Sequence, residues 1–196
     1  MGMMLRLPAG VSCLATGIVF VELFGIKPGM DTTNQGNLDS RTVPLSQRNA
    51  NVSIRKLEQL PVQIRALEVQ AVAEGFRFLT RLITEWEDGT HRFDQPGECF
   101  LGMFCEGQLI AVGGLSCDPF AGPGVGRLRR VYVERNHRGR QAGKALVHQL
   151  LENAAVHFYQ VRLSTDSSEA AAFYLRCGFD QVADDTATHT KTLGHS

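Results

Sequence analysis

The chain has 196 residues, of which 43% are hydrophobic and 20% charged, an ordinary composition for a globular protein with a buried core. Its length favours one domain with an extension over two full domains. Lys plus Arg and Asp plus Glu both number 20, and this balance argues against bulk electrostatic binding of nucleic acid or of an anionic membrane.

The first 51 residues differ in character from the rest of the chain. Residues 11–26 form an apolar run of signal-peptide length, but Glu22 interrupts it, and Lys27-Pro28-Gly29 follows instead of a cleavage site of small residues. Residues 30–51 are polar and predict a linker. A signal or anchor, and a natural start near Met30, both remain open. We assign 1–51 to an N-terminal extension and 52–196 to the domain.

Hydrophobic patterning predicts the elements of the first half of the domain. Residues 52–56 form a short strand, and apolar residues at helical spacing over 62–86 predict helix with a bend at Gly75. The apolar runs 99–105 and 109–115 predict a β-hairpin with a three-residue loop at 106–108. The segment 118–126 is rich in Gly and Pro, and we expect a loop that orders only on binding.

The second half alternates strands and helices. Residues 128–133 predict a strand, 134–140 a charged turn and 143–158 an amphipathic helix. A strand follows at 161–164, then a helix at 168–177 that Gly178 ends, and two strands at 179–182 and 186–193. The order β-α-α-β-β-β-α-β-α-β(-β) predicts an α/β (α+β) protein with a mixed sheet and helices on both faces.

The cysteines exclude two classes of protein. There are five, an odd number, with no CxxC pair and no histidine cluster at zinc spacing. We therefore expect no disulfide framework and no metal site, and we interpret them as reduced thiols of a cytoplasmic protein. The five are Cys13, Cys99, Cys105, Cys117 and Cys177.

Residues 138–144, with the sequence RGRQAGK, carry the clearest chemical signal. An apolar strand leads into a glycine-bearing turn that opens a helix, where unpaired N–H groups and the helix dipole favour an anion. Glycines let a phosphate approach the backbone closely. Local physics alone leaves both a plain turn and a pyrophosphate site open. Neither a G-x-G-x-x-G nor a P-loop motif is suitably placed.

Two motifs together resemble the GNAT superfamily of N-acetyltransferases. Residues 138–143 match its signature Arg/Gln-x-x-Gly-x-Gly/Ala except that Gln141 stands in the place of a glycine. Residues 170–179, AAAFYLRCGF, resemble its A…FY…GF segment closely. The resemblance covers roughly residues 52–193. It implies a mostly antiparallel sheet that splays at the cofactor site, and acetyl-CoA as co-substrate.

The resemblance also implies roles for particular residues. Tyr174 matches the general acid that protonates the leaving thiolate, although a plain core aromatic is the alternative interpretation. The backbone of the strand ending at Val133 would face the pantetheine arm, and the 138–144 turn would hold the pyrophosphate. No metal is implied. The predicted cofactor-binding residues are Val131, Tyr132, Val133, Arg138, Gly139, Arg140, Gln141, Ala142, Gly143, Lys144 and Ser167.

Gln141 has two interpretations. In a left-handed conformation it would be strained, whereas in the first helical turn it would only crowd the phosphate. We favour the first helical turn. A catalytically degraded acyl-CoA-binding or sensor module therefore remains the alternative to an enzyme.

The acceptor is expected to be a primary amine of a small molecule or peptide. Direct attack in a ternary complex is expected because no cysteine with a paired histidine is evident. Peptide N-termini, lysines, polyamines, antibiotics and small metabolites stay open, and the resemblance is compatible with a homodimer. The first helices and the 118–126 loop should build the acceptor pocket.

The general base is left open among several carboxylates. Family members often carry an acidic residue near the start of the central strand, where this chain has arginines, an arrangement that disfavours a strongly cationic acceptor. We expect Glu134 to balance Arg138 and Arg140, and His189 to lie on the surface. The base candidates are Glu98, Glu106, Asp118 and Glu134, and the arginines are Arg127, Arg129 and Arg130.

Overall fold

The computed structural model describes residues 51–194, and the predicted order of elements is confirmed. The apolar run at 11–26 and all but the last residue of the predicted linker lie outside the described residues. Within residues 51–194, no helix is long and apolar enough to cross a membrane.

The described residues form seven strands, four α-helices and one 3-10 turn. The elements are β1 (Val52–Lys56), α1 (Ile64–Ala73), α2 (Phe78–Glu87), β2 (Cys99–Cys105), β3 (Gln108–Cys117), β4 (Val125–Val133), a 3-10 turn (Arg135–His137), α3 (Ala142–Ala155), β5 (Gln160–Leu163), α4 (Ser168–Arg176), β6 (Asp180–Asp184) and β7 (Ala187–Thr192).

The strands form one seven-stranded sheet in the order β1-β2-β3-β4-β5-β7-β6. Only β4 and β5 are parallel, so the prediction of a mixed, mostly antiparallel sheet is confirmed. The β4–β5 pairing covers three residues of each strand, Val125 to Arg127 and Gln160 to Arg162. Beyond Arg127, β4 pairs only with β3 and β5 only with β7, so a gap opens in the sheet.

Helices cover both faces of the sheet and divide the core into two layers. Helices α1 and α2 pack on one face, against Phe100, Val112 and Tyr132 among others. Helices α3 and α4 pack on the other, against residues that include Leu115 and Val131. Alternating strand side chains feed the two layers, as the pleat of a β-strand requires.

Two adjacent glycines in β3 let both layers approach the centre of the sheet. A Cβ added to Gly113 would lie 2.9 Å from Leu150 of α3, whereas one added to Gly114 would collide with the ring of Phe93 on the opposite face. Side chains at these positions would therefore push α3 and Phe93 off the sheet, one on each side.

Glycines end α1 and form the turn of the first hairpin. Gly75, with φ +88°, follows α1 and makes the predicted bend before α2. In the hairpin, Glu106 (φ 50°) and Gly107 (φ +83°) are both left-handed, which is the geometry of a tight two-residue turn. Gln108 therefore pairs with Cys105 as the first residue of β3, and the predicted three-residue loop is one residue too long.

The 118–126 loop is anchored by Asp118. Its N–H donates to Val125 O at 2.9 Å, and its Oδ1 accepts from the N–H of Phe120 at 2.8 Å. Its Oδ2 accepts from Arg127 Nη1 at 3.1 Å, with side-chain exposures of 0% for Asp118 and 7% for Arg127. A buried carboxylate thus holds the base of this loop.

Replacing Asp118 by Asn should lower the free energy of unfolding by about 3 kcal/mol, because the buried Arg127 charge would lose its partner. Urea unfolding measures the change. Glu87→Gln is the matched control, since Glu87 pairs with Arg65 on the surface and its loss should cost less than about 1 kcal/mol. Equal effects of the two substitutions would contradict this account of the loop.

Candidate active site

In the gap between β4 and β5, one backbone edge of β4 is not paired with β5. Val131, Tyr132 and Val133 lie on this segment and have no partner on β5. Val131 and Val133 point into the layer of α3, and Tyr132 points into the layer of α1 and α2. Because the side chains are buried on both sides, only the backbone of these three residues can meet a molecule in the gap.

A β-bulge lies in the middle of β4. Arg130 has φ 58°, and the β3–β4 register shifts between Val112 and Gly114. The bulge belongs to β4, because two residues of β4 lie between the paired positions where β3 has one. It adds a residue to one strand, and this turns Arg130 toward α2, where its Nη2 donates to Glu85 Oε2 at 2.8 Å.

The turn before α3 leaves the start of that helix open. Helix α3 begins at Ala142, no side chain caps it, and the first N–H groups of a helix have no acceptor within it. A Cβ placed on Gly139, whose φ is +73°, would meet no atom within 4 Å. Arg140 and Lys144 are exposed beside this helix start. The segment can therefore receive an anion on backbone donors with two cations nearby.

Gln141 does not lie in the first helical turn, and our expectation for it is wrong. It precedes the helix, with φ 65° and ψ 0° in the left-handed region. A side chain costs roughly 1–2 kcal/mol in that conformation, which a glycine adopts freely. A helix boundary inferred from periodicity is uncertain by one or two residues, and here one residue decides between the two conformations.

Arg138 does not project toward the helix start. Its side chain is 8% exposed, its Nη2 donates to Glu74 Oε2 at 2.7 Å, and its Nε donates to Val133 O at 2.9 Å. Its guanidinium also lies 5.3 Å from the centre of the Tyr132 ring. Arg138 therefore ties the turn to β4 and, through Glu74, to the end of α1.

Glu74 is a structural centre of the site that the sequence analysis missed. It lies directly after α1, and besides Arg138 it accepts hydrogen bonds or ion pairs from Tyr132 Oη at 3.4 Å and Arg135 Nε at 3.3 Å. The sequence offered only a carboxylate beside the bend at Gly75, and nothing in the spacing pointed to a partner 64 residues away.

Glu134 has different partners from those expected. Its Oε2 lies 2.6 Å from His137 Nδ1, and its Oε1 accepts from Gln70 Nε2 at 3.3 Å. It is buried, so the expectation that it balances Arg138 and Arg140 is wrong.

The remaining base candidates have separate environments. Glu98 accepts from the N–H of Cys117 at 3.0 Å, and Glu106 is exposed in the hairpin turn. Asp118 belongs to the buried pair with Arg127. The hydrogen bonds of these carboxylates do not include Tyr174.

Tyr174 lies on α4, beside Phe173, and is fully buried. Its neighbour Phe173 lies 3.4 Å from where a Cβ on Gly143 would be, so α4 packs against the first turn of α3. Tyr174 is 0% exposed, and among residues 51–194 its hydroxyl has no hydrogen-bond partner. Burial, and to a smaller extent Cys177, raises the pKa of Tyr174 well above its usual value. The phenol therefore stays protonated and its O–H is free to donate.

His189 is buried beside Tyr174, and the expectation that it lies on the surface is wrong. It is 1% exposed, and the centres of the two rings are 6.3 Å apart. Its Nδ1 lies 2.8 Å from Thr188 Oγ1, while its Nε2 has no partner in the described part of the chain. Burial lowers the pKa of His189, which favours the neutral ring.

Ser167 caps α4. Its Oγ accepts from the N–H of Ala170 at 3.3 Å and donates to Glu169 at 2.7 Å, the usual arrangement of a serine N-cap. Its hydroxyl thus already has partners within the helix start.

Within residues 51–194 the cysteines form no disulfide. The same residues contain no group of three or more His, Cys, Asp or Glu side chains that could hold a metal ion. Burial raises the pKa of Cys99 to about 11, so its thiolate is scarce near neutral pH.

A family model described as the acetyltransferase (GNAT) family matches residues 64–179, from the start of α1 through Gly139, Gln141 and Tyr174. The chain belongs to the GNAT family of acetyltransferases. This GNAT protein is an acyltransferase, in agreement with the resemblance carried by its two motifs.

Individual relatives agree with the family. N-acetylaspartate synthetase of Xenopus tropicalis is 33% identical over 91 residues, which are 45% of this chain and 33% of the relative. The match thus spans about a third of that protein. A candidate acetyltransferase of Exiguobacterium sp. 255-15 is 25% identical with a TM-score of 0.63, covering 72% of this chain and 93% of the other.

The fold recurs at lower identity as well. A GNAT-family acetyltransferase of Staphylococcus aureus Mu50 is 16% identical with a TM-score of 0.57, and the superposition covers 72% of this chain and 100% of the other. At that identity the likeness concerns the fold alone.

Replacing Gln141 by Gly should raise the free energy of unfolding by about 0.5–1 kcal/mol, because relief of the left-handed strain exceeds the entropy that glycine loses on folding. Gln149→Gly inside α3 is the matched control and should lower it by about 1 kcal/mol. Chemical denaturation of both variants checks the sign of each change. A loss of stability in Gln141→Gly would contradict the strain.

Proposed function

We propose that this GNAT protein transfers an acetyl group from acetyl-CoA to a primary amine by direct attack within a ternary complex. The observation that carries the proposal is the buried hydroxyl of Tyr174, which has no hydrogen-bond partner among residues 51–194. Tyr174 lies on α4, and α4 packs against the start of α3. Both features lie within the matched family region, residues 64–179.

The residues present fit acetyl-CoA. Uncapped N–H groups at the start of α3 suit a pyrophosphate, the open surface at Gly139 lets it approach, and exposed Arg140 and Lys144 add positive charge. The unpaired edge of β4 from Val131 suits an extended arm carrying amide groups. When bound, acetyl-CoA supplies a thioester whose carbonyl carbon accepts the amine and whose sulfur departs.

Tyr174 is proposed to protonate the departing sulfur. Its high pKa keeps the phenol neutral, and its O–H has no protein acceptor in the described chain that would compete for the proton. Phe173 and Phe179 pack around the ring at 5.2 and 5.5 Å between ring centres, which fixes its orientation. His189, neutral and 6.3 Å away between ring centres, adds no charge that would ionise the phenol.

Direct attack is supported by the state of the thiols. A covalent acyl-enzyme needs a reactive thiolate, but burial raises the pKa of Cys99 to about 11 and also raises that of Cys117. An amine acceptor is supported by the name of the Xenopus relative, whose product carries its acetyl group on an amino nitrogen.

We place the reaction in the cytoplasm as part of the same proposal. The Cys117 thiol is exposed and that of Cys105 is partly exposed, yet neither forms a disulfide within residues 51–194. Free exposed thiols suit a reducing compartment.

A catalytically degraded acyl-CoA-binding module is the second candidate. The strained Gln141 at the predicted phosphate turn favours it, because a side chain in that position crowds the approach to the helix start. Both candidates require acetyl-CoA binding. Only the enzyme requires turnover that depends on Tyr174.

Calorimetry with acetyl-CoA tests the shared requirement, and a broad amine panel tests turnover. Binding together with acetylation of at least one amine supports the enzyme. Binding with no turnover favours the degraded module, and absence of binding refutes both.

Replacing Tyr174 by Phe should lower kcat about 100-fold, because the departing sulfur loses its proton donor. The dissociation constant for acetyl-CoA should stay unchanged. Thermal stability should stay equal or rise, since the substitution removes a buried hydroxyl without a partner. Steady-state kinetics with the acetylated amine, calorimetry and thermal denaturation give the three values.

Tyr159→Phe is the control, because Tyr159 is half-exposed and lies outside the site. It should leave kcat unchanged. A Tyr174→Phe enzyme with the kcat of the wild type would remove Tyr174 from the mechanism.

A further inference from the structure

Three arginines lie on β4 near the point where the sheet opens, and two of them have carboxylate partners. Arg127 pairs with the buried Asp118, and Arg130 pairs with Glu85. Arg129 differs, since among residues 51–194 its guanidinium has neither an ion pair within 4.0 Å nor a hydrogen bond.

The surroundings of Arg129 are short of negative charge. Burial lowers its pKa, and the adjacent Arg130 lowers it further, by more than Glu85 raises it. The two carboxylates in range are already engaged, Glu85 by Arg130 and Glu98 by the N–H of Cys117. A half-buried guanidinium in such a place is stabilised by any anion that reaches it.

Arg129 lies on the face of the sheet that α2 covers. It is opposite Gly114 in the β3–β4 register, and residues paired in this way share a face. The ring of Phe93 occupies the space above Gly114, and the ring of His91 packs against Phe93 at 4.4 Å. Arg129 therefore lies beside an aromatic wall, one residue from Arg130 in the bulge and two from Arg127, the last residue of β4 that pairs with β5.

The phosphates of the cofactor are too distant to be the partner of Arg129. Val133 lies four positions after Arg129 along β4, a length of about 13 Å. The start of α3 lies at the Val133 end, because a Cβ on Gly143 would be 3.5 Å from Val133 Cγ2, and α3 belongs to the opposite layer. A phosphate held at the start of α3 is therefore not the anion that binds Arg129.

We propose that the acceptor is a small amine carrying a carboxylate, such as an amino acid, and that Arg129 binds this carboxylate. The inference rests on the proposed acetyl transfer. A guanidinium grips a carboxylate through two parallel N–H donors, which would orient the acceptor and leave its amine directed to the gap between β4 and β5. Arg129 is thus a specificity-determining residue for the acceptor.

The experiment compares matched pairs of amines in steady-state acetylation by the full-length protein. Each pair is an amino acid and the amide of its only carboxylate: glycine and glycinamide, alanine and alaninamide, β-alanine and β-alaninamide. The carboxylated member should have a kcat/KM about 10- to 100-fold higher, the range expected for a hydrogen-bonded charge pair. Amidation of an α-carboxylate lowers the pKa of the amine and raises its neutral fraction, so the first comparison is biased against the proposal.

Three variants assign the preference to Arg129. Arg129→Gln should abolish it while leaving the dissociation constant for acetyl-CoA unchanged, and Arg129→Lys should keep part of it, because the charge remains without the forked geometry. Arg176→Gln, at an exposed position on α4, is the matched control and should keep all of it. Thermal denaturation checks that the variants fold. If Arg129→Gln does not fold, a partial loss of the preference in Arg129→Lys still tests the proposal.

The outcomes separate the two proposals. Acetylation of amines with equal kcat/KM for acid and amide, or a preference that survives in Arg129→Gln, overturns the inference and leaves acetyl transfer standing. Failure to acetylate any amine despite acetyl-CoA binding overturns both. A preference for the carboxylated members that is lost with Arg129 supports the inference.

Discussion

The ion pairs of Asp118 set the geometry on which the candidate site depends. Its carboxylate binds Arg127 on β4 and lies 3.9 Å from Arg162 on β5, and Arg162 in turn binds Asp184 at 2.7 Å. Arg127 and Arg162 are also the last residues that β4 and β5 pair in register. The buried charges thus hold the two strands together at one point and fix where they begin to diverge. The gap, the unpaired edge of β4 and the place of the bulge all follow from that point.

The groups proposed to act on the reaction come from both layers of the molecule. Tyr174 belongs to the layer of α3 and α4, while Arg129 belongs to the face covered by α2. A continuous sheet would separate them. Because the sheet is open between β4 and β5, a cofactor held at the start of α3 and an acceptor held near α2 can meet in the gap. Glu74 links the two layers, since it lies at the end of α1 and binds Arg138 in the turn before α3.

Much of the fold was predictable because it depends on local patterns. Hydrophobic periodicity and turn glycines gave the order of all strands and helices, and the motifs around Gly139 and Tyr174 gave the family. The errors fall where a distant contact or a single dihedral angle decides. The partner of Arg138 is 64 residues away in sequence, His189 is buried only because α4 covers β7, and the conformation of Gln141 depends on a helix boundary shifted by one residue. Such contacts and angles leave no periodic trace in a single sequence.

The adjacent glycines of β3 have a consequence for how the protein can evolve. A methyl group at Gly113 would press on α3, whereas one at Gly114 would press on Phe93 on the other face. The centre of the sheet therefore offers two neighbouring positions whose substitutions deform opposite halves of the molecule. Because the two positions are adjacent in the chain, their effects on stability are coupled. A change at position 114 remodels the wall near Arg129, whereas a change at position 113 alters the packing of α3.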